Sequence, residues 1–398
     1  MGMSTSVPSH VSPELVVDLD IYNLPLDGED VQLAWRKFQG RGPLVYSPYN
    51  GGHWVPTTAE DISVLFRDTE RLSNASISIP AHDGPRFVPS ESDPPDLMEY
   101  RRNVVPHFSP AAIAKLEPDI RALAIELIEG LRPRGECEFV SEFAHQLPVI
   151  VFLRMMGLPL ADKNPLVGFT EIMARSPDPQ QKHVAYGNVV SYVDGWIRKR
   201  RAEPGDDLIT HMTRAQIRGQ PYPDHDVLSS CVLLLLGGLD TVASMLGFIA
   251  AFLAREPQQR RYIREHPDEL FGISEELIRR FAVANLGRVV AMDFTYKGVT
   301  LRKGDRLLLS SCLHNIDESR FVNAAHVDFH RKPQHISFGS GAHACIGAFL
   351  ARTEIKIFLQ EWLTRIPDFA LSAHKPQVAR SGSVNGMESL RLTWRLVQ

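Results

Sequence analysis

Apolar residues recur at three- and four-residue spacing over most of the chain, and six stretches hold the pattern long enough to predict helices. They are Ala111 to Leu131, Val140 to Met156, Ala185 to Arg200, Val227 to Glu256, Ser274 to Phe281 and Cys345 to Ile366. In the last of these, Ile355, Phe358, Leu359, Trp362 and Ile366 form one apolar stripe. Strand-like alternation is confined to short pieces: Phe294 to Val299, then Arg306 to Leu309 across a Lys303-Gly304-Asp305 turn, and Leu390 to Val397. From Leu313 to Gln334 neither period holds, which predicts a long irregular loop; a loop of that length inside a compact domain is usually functional. No internal repeat, low-complexity tract or charged linker divides the chain. The expectation is a mainly α fold with small β-sheets (α+β), one domain over 1–398, with a flexible tail over about 1–15.

The Val227 to Glu256 pattern would make a helix about 45 Å long at 1.5 Å per residue, enough to cross a whole domain. Its segment Cys231 to Ala254 is also apolar and long enough to span a bilayer. Asp240 near its centre argues otherwise, since an acid at mid-bilayer costs at least about 2.5 kcal/mol. A buried central helix is the better reading.

Composition narrows the field. The 398 residues are 44% hydrophobic and carry a formal net charge of −4, so no global cationic field points to nucleic acid. The one dense basic run, Arg198-Lys199-Arg200-Arg201, falls at a predicted helix C-terminus, where the macrodipole favours cations. Four cysteines (Cys137, Cys231, Cys312, Cys345) lie far apart with no CxxC, which suggests neither a zinc ribbon nor a disulfide framework. The N-terminal MGMSTSVPSH lacks a basic stretch followed by an apolar one. A cytoplasmic protein, with no membrane association, is expected.

The stretch SFGSGAHACIGAFLARTEIK, from Ser337 to Lys356, sets three glycines around one cysteine and leads straight into the last predicted helix. A thiol at a helix N-terminus has its thiolate stabilised by free N–H groups. Gly339, Gly341 and Gly347 would let the backbone pass close to a flat, bulky partner. Three readings compete: a structural cysteine beside a tight turn, a phosphate-cradling loop, and axial ligation of haem iron. The spacing matches neither GxGxxG nor the P-loop, which ends in Lys-Ser or Lys-Thr.

The string resembles one family pattern, F-G-x-G-x-H-x-C-x-G, with Phe338, Gly339, Gly341, His343, Cys345 and Gly347 matching it position by position. That pattern belongs to the cytochrome P450 superfamily. EELIRRF, VDFHRKP, EWLTRIPDF and LLLGGLDTV resemble the bacterial camphor-hydroxylase subfamily across nearly the full chain. The resemblance implies a single-domain P450 fold with a long helix crossing the haem, haem b as cofactor, and Cys345 as the iron ligand.

Other residues acquire roles through the same resemblance. Glu276 and Arg279 share a face of a helix that Ser274 could cap, and Arg331 resembles the third member of a network that braces the cysteine loop. Adjacent glycines inside a helix each cost about 1 kcal/mol against alanine. Close helix packing is one reason for Gly237 and Gly238; the resemblance implies another, a groove where dioxygen sits against the backbone, with Thr241 hydrogen-bonding to it and Asp240 relaying protons. Arg101, Arg288 and His343 resemble the propionate contacts. Leu286 departs from the subfamily, which has an acid there.

Substrate would lie against Leu233, Leu236, Ala284, Phe87, Ser383 and Val384. At the position where camphor hydroxylases carry a tyrosine that bonds the substrate ketone, this chain has Pro85, with neither hydroxyl nor N–H. The expectation is an apolar terpenoid or norisoprenoid held chiefly by shape, and not camphor. No flavin or nicotinamide fingerprint is present, so electrons would come from a [2Fe-2S] ferredoxin with its NADH-dependent reductase. Arg101, Arg102, Lys332, Arg352 and Lys356 would form its basic docking patch. A peroxide-driven haem-thiolate enzyme, a haem-thiolate sensor and a nucleotide-binding module are the alternatives; the Asp240-Thr241 pair speaks against the first.

Overall fold

The computed structural model describes residues 5–26, 30–82, 84 and 86–396. Thirteen α-helices appear among them: α1 (Ala59–Arg67), α2 (Asp96–Val104), α3 (Pro110–Leu131), α4 (Gln146–Met156), α5 (Lys163–Arg175), α6 (Pro179–Ala202), α7 (Leu208–Thr213), α8 (Asp224–Leu239), α9 (Thr241–Arg255), α10 (Pro257–Glu265), α11 (Leu270–Arg280), α12 (Ser311–Asn315) and α13 (Ala348–Arg365). Local chemistry sets several boundaries. Ser109 caps α3 by accepting from Ala112 N, with Pro110 at the first helical position. Asp178 does the same for α6 through Gln180 N and Gln181 N. Gly157, at φ 68°, ends α4 in the left-handed conformation.

The apolar stripe of α13 turns wholly inward. Ile355, Phe358, Leu359 and Trp362 are fully buried, and Phe358 and Trp362 pack on Phe139 and Phe143 with ring centroids 5.0–5.6 Å apart. Each such side chain contributes about 1.5–3 kcal/mol by leaving water. This helical core adjoins a second one built on a five-stranded sheet, in the order Leu44–Ser47, His53–Pro56, Arg306–Ser310, Asn285–Val290, Leu72–Ser73.

Several expectations need correction. The long central helix is interrupted: α8 stops at Leu239, Asp240 adopts φ −122° and ψ −38°, and α9 starts at Thr241. Two glycines weaken the ladder just before the break, and Thr241 Oγ1 donates to Gly237 O at 3.1 Å, competing for that carbonyl. Ser274 caps nothing, because α11 begins four residues earlier and Ser274 Oγ donates back to Leu270 O. Arg306–Ser310 pairs with Asn285–Val290, not with the hairpin before it, which closes on itself as Phe294–Tyr296 against Val299–Leu301. The presumed tail is partly docked: Thr5 N donates to Pro48 O at 2.8 Å, His10 Nε2 lies 2.8 Å from Asp305, and Val11 is buried. Within the basic run, Arg200 turns inward to Asp207 at 2.5 Å. Of the irregular stretch Leu313 to Gln334, α12 takes the first three residues and no helix or strand forms in the rest.

The run Asp224–Arg255 is long and apolar enough to cross a membrane by length and composition, and 67% of its most apolar window is buried within the protein.

Candidate active site

Two hydrogen bonds shape the cysteine loop. Cys345 N donates to Phe338 O at 2.8 Å and Gly339 N to Ile336 O at 2.8 Å. Gly339 and Gly341 have φ of 70° and 75°, values an L side chain rarely tolerates. Their glycines are therefore demanded by the turn itself. Gly347 differs: it has ordinary φ, and a Cβ there would meet only Cys345 Sγ, at 3.9 Å. Its bare backbone keeps one side of the sulfur clear.

Cys345 is exposed, whereas Cys137, Cys231 and Cys312 are buried. Burial within the loop pushes its thiol above the usual range, opposed by the N–H groups of Gly347 and Ala348 and by the charges of Arg101 and Arg352. The helix start thus assists the thiolate without outweighing desolvation. Among the described residues no group of three or more His, Cys, Asp and Glu could hold a metal ion. A metal at Cys345 must bring its other ligands with it, as haem iron does.

The donors around the loop suit the rest of that group. Arg288 is buried, bonds only its neighbouring carbonyl Gly287 O, and forms no ion pair among the described residues. Burial lowers its guanidinium to about 10, with Asp93 opposing. His343 Nε2 is buried without a partner among the described residues, and desolvation with the nearby arginines lowers the ring to about 4. Arg101 donates to Ala344 O at 2.9 Å. A buried arginine with no ion pair among the described residues, a half-buried arginine and an imidazole nitrogen free to donate, all beside the thiol, fit a haem with two propionates. Leu286 is half-buried on the same strand as Arg288 and offers no polar group. Asp93, which the sequence reading passed over, is the acid whose charge reaches both Arg288 and His343.

The two helical glycines do different work. A Cβ on Gly238 would stand 2.3 Å from the Phe152 ring, so this glycine permits α8 to pack on α4. A Cβ on Gly237 would meet nothing within 4 Å. Leu233, Leu236, Gly237 and Thr241 all retain exposure at three- and four-residue spacing, defining one open stripe on a mostly buried stretch of helix. Asp240 is turned away from that stripe. Its carboxylate accepts from Arg175 Nη2 at 2.6 and 2.8 Å, and the same nitrogen reaches Ser244 Oγ at 2.6 Å. Arg175, at the end of α5, carried no signal in sequence because its partner lies 65 residues away.

Glu276 and Arg279 are fully buried and joined by two bonds of 2.7 and 2.8 Å. Arg279 also donates to the carbonyls of Asn315, Ala324 and His326, and Arg331 Nε donates to Glu276 Oε1 at 3.2 Å. The structure therefore brings the three together, and their donors satisfy the carbonyls of the loop that no ladder supplies.

Of the substrate positions, Ala284 bridges Val384, and Ser383 donates to Ala174 O through both N and Oγ. Phe87 is buried edge-on against Tyr186, at 5.8 Å between centroids. Pro85 lies outside the described residues. The basic patch is largely neutralised: Arg102 pairs with Glu99, Lys356 with Glu117 at 2.9 Å, and Arg352 with Glu275 at 2.7 Å.

A cysteine loop braced by a Glu-Arg-Arg network, together with a helix broken beside an acid and a threonine, defines a haem-thiolate monooxygenase. The chain belongs to the cytochrome P450 family, whose family model matches residues 169–373. It is 33% identical to the probable cytochrome P450 127A1 of Sinorhizobium fredii, over 98% of this chain and 97% of that one. The crystal structures of CYP101C1 and CYP101J2 superpose with TM-scores of 0.88 and 0.89 at 37% and 34% identity, each covering 98% of this chain and 100% of the other. As in the family at large, the cofactor is haem with its iron held by a cysteine thiolate.

Proposed function

We propose that this P450, as one domain in the cytoplasm, hydroxylates an apolar substrate of terpenoid or norisoprenoid size, with O2 and two electrons from a [2Fe-2S] ferredoxin served by an NADH-dependent reductase. Cys345 is the iron ligand in this reading, and Arg101, Arg288 and His343 hold the propionates. Bound haem supplies the oxygen activation and insertion. The chain supplies orientation, dryness and protons. Leu233, Leu236, Ala284 and Val384 present apolar surface, so shape positions the substrate and water is displaced. Thr241 Oγ1, resting on Gly237 O, offers a hydroxyl at the edge of the open stripe. Asp240 holds a carboxylate one residue away, oriented by Arg175, and would take up a proton and hand it on toward the stripe.

The observation that carries the reading is the break at Asp240, which places a buried, paired acid directly beside a threonine on the open stripe. It favours O2 with delivered protons over the peroxide-driven alternative. Pro85 removes the donor that would select a small ketone. The test is a spin-state titration of the holoenzyme against apolar ketones and terpenoids, followed by turnover with ferredoxin, reductase and NADH. Conversion from low to high spin by a terpenoid or norisoprenoid, with product formed only when ferredoxin is supplied, is the expected result. A full spin shift and tight coupling with camphor, or no product from any combination, would overturn it.

A further inference from the structure

Arg352 is not a free cation. Its guanidinium is tied to Glu275 by two bonds, Nε at 2.7 Å and Nη2 at 2.8 Å, and lies 4.5 Å from the centroid of the Phe338 ring. The Arg352 side chain is 27% exposed and that of Glu275 only 14%. A third member closes the group: His335 Nε2 is 3.4 Å from Glu275 Oε2, with its side chain 4% exposed and its ring 6.0 Å from that of Phe338. Glu275 is the residue before Glu276, yet it takes no part in the Glu276–Arg279–Arg331 network. Two adjacent carboxylates on α11 therefore serve opposite sides, one bracing the loop and the other facing α13.

Phe338 is the first residue of the cysteine loop, and its carbonyl accepts Cys345 N. The positive charge of Arg352 is among those that favour the Cys345 thiolate. What the sulfur experiences depends on whether that charge stands alone or as one end of a dipole. A bidentate Arg–carboxylate pair has a field that falls off far more steeply than a lone cation.

Given ligation by Cys345, on which this rests, we propose that Glu275 is a positioning residue: by pairing with Arg352 it sets how much positive charge the iron-bound sulfur feels, and so fixes the haem reduction potential. The pair faces inward, tuning the electron acceptor, and is not a contact for the electron donor. A lone positive charge near the sulfur favours the reduced, more negative iron site.

The order of reduction potentials follows. In spectroelectrochemical titration of substrate-free holoenzyme, Glu275→Gln should lie above wild type, by about tenfold in the one-electron reduction equilibrium, or about 59 mV. Arg352→Gln should lie below wild type, and the double variant between the two singles. An unmoved or lowered potential in Glu275→Gln, or a double variant that keeps the full rise of that single, overturns the proposal. Should Glu275→Gln fail to take up haem, the direction of the Arg352→Gln shift decides, a rise or no change being the overturning result. The reduced carbonyl spectrum of wild type separates the two layers: absence of thiolate-type absorption sinks the ligation itself, whereas an intact band with the wrong order of potentials sinks only the role of Glu275.

Discussion

One nitrogen of Arg175 sits between the two carboxylate oxygens of Asp240, at 2.6 and 2.8 Å, with both side chains almost wholly buried. A buried pair like this is costly to break from one side, because the survivor is left charged in a low-dielectric setting. Arg175→Ala should lower stability by about 3–5 kcal/mol, read as a fall in melting temperature, while Arg175→Ala with Asp240→Asn should recover part of it. Gly386 leaves the room that the guanidinium occupies, since a Cβ there would stand 2.0 Å from Arg175 Nε. Gly386→Ala should therefore reproduce much of the Arg175→Ala loss. An unchanged melting temperature in both would refute the role of the pair.

Asp240→Asn tests the proton path when turnover is measured well below its melting temperature, which should itself fall because Arg175 loses its buried counter-charge. Amide for carboxylate keeps the shape and one acceptor for Arg175 but removes the proton-carrying group. Turnover should fall about 10²-fold with substrate affinity little changed. A variant that turned over at the wild-type rate would leave Asp240 a structural residue.

Gly237→Ala and Gly238→Ala should part company. The second places a methyl into the Phe152 ring and should cost about 1–3 kcal/mol of stability. The first meets open space and should gain up to about 1 kcal/mol from helix propensity. Its cost falls on turnover, because the methyl enters the stripe beside Thr241. Equal stabilities for the two would contradict the packing assigned to Gly238.

Removal of the thiol is the direct check on the loop. Cys345→His should abolish the thiolate-type band of the reduced carbonyl complex together with activity, while a buried thiol such as Cys231 can be replaced without moving that band. Retention of the band in Cys345→His would transfer the ligand role elsewhere.

Acid should unfold the protein in a definite window. His53 and His314 are buried, and desolvation lowers each to about 4 from an ordinary value of 6.5. Both are neutral when folded and bind protons more readily when unfolded, so the stability tied to their neutral state is complete above pH 6.5. It is lost as pH falls from 6.5 to 4, by at most about 3 kcal/mol per histidine. Chemical-denaturation midpoints measured from pH 7.5 to 4.5 should fall in wild type and flatten when both are replaced by Gln. A slope that survives both replacements would assign the loss to other groups.

How much of the site could be read from the chain depends on whether its signal was local. Phe338 through Gly347, Glu276 with Arg279, and Asp240 with Thr241 are short strings whose match to a family pattern implied their roles. The stripe of α13 was equally plain, since five apolar residues at helical spacing can bury only one way. Short α1, α2, α7, α10 and α12 went unseen, being too brief or too polar for periodicity to exceed noise, and so did the 13-residue α5.

Charge was the property that local reading handled worst. Arg102, Arg352 and Lys356 looked like free cations, and each proved to be paired with an acid brought in by the fold. Ser274 looked like a helix start and lies a full turn inside one.

The amino-acid order alone determined that this chain places a thiol after a glycine turn, a paired Glu and Arg on one helix face, and an acid beside a threonine in an apolar helix, because those relations span only a few residues. Tertiary structure decided which neighbours they acquired: Arg175 for Asp240, Phe152 for Gly238, Glu275 for Arg352. Electrostatic and steric interactions act through space, and partners 65 or 77 residues apart leave no mark on the sequence between them.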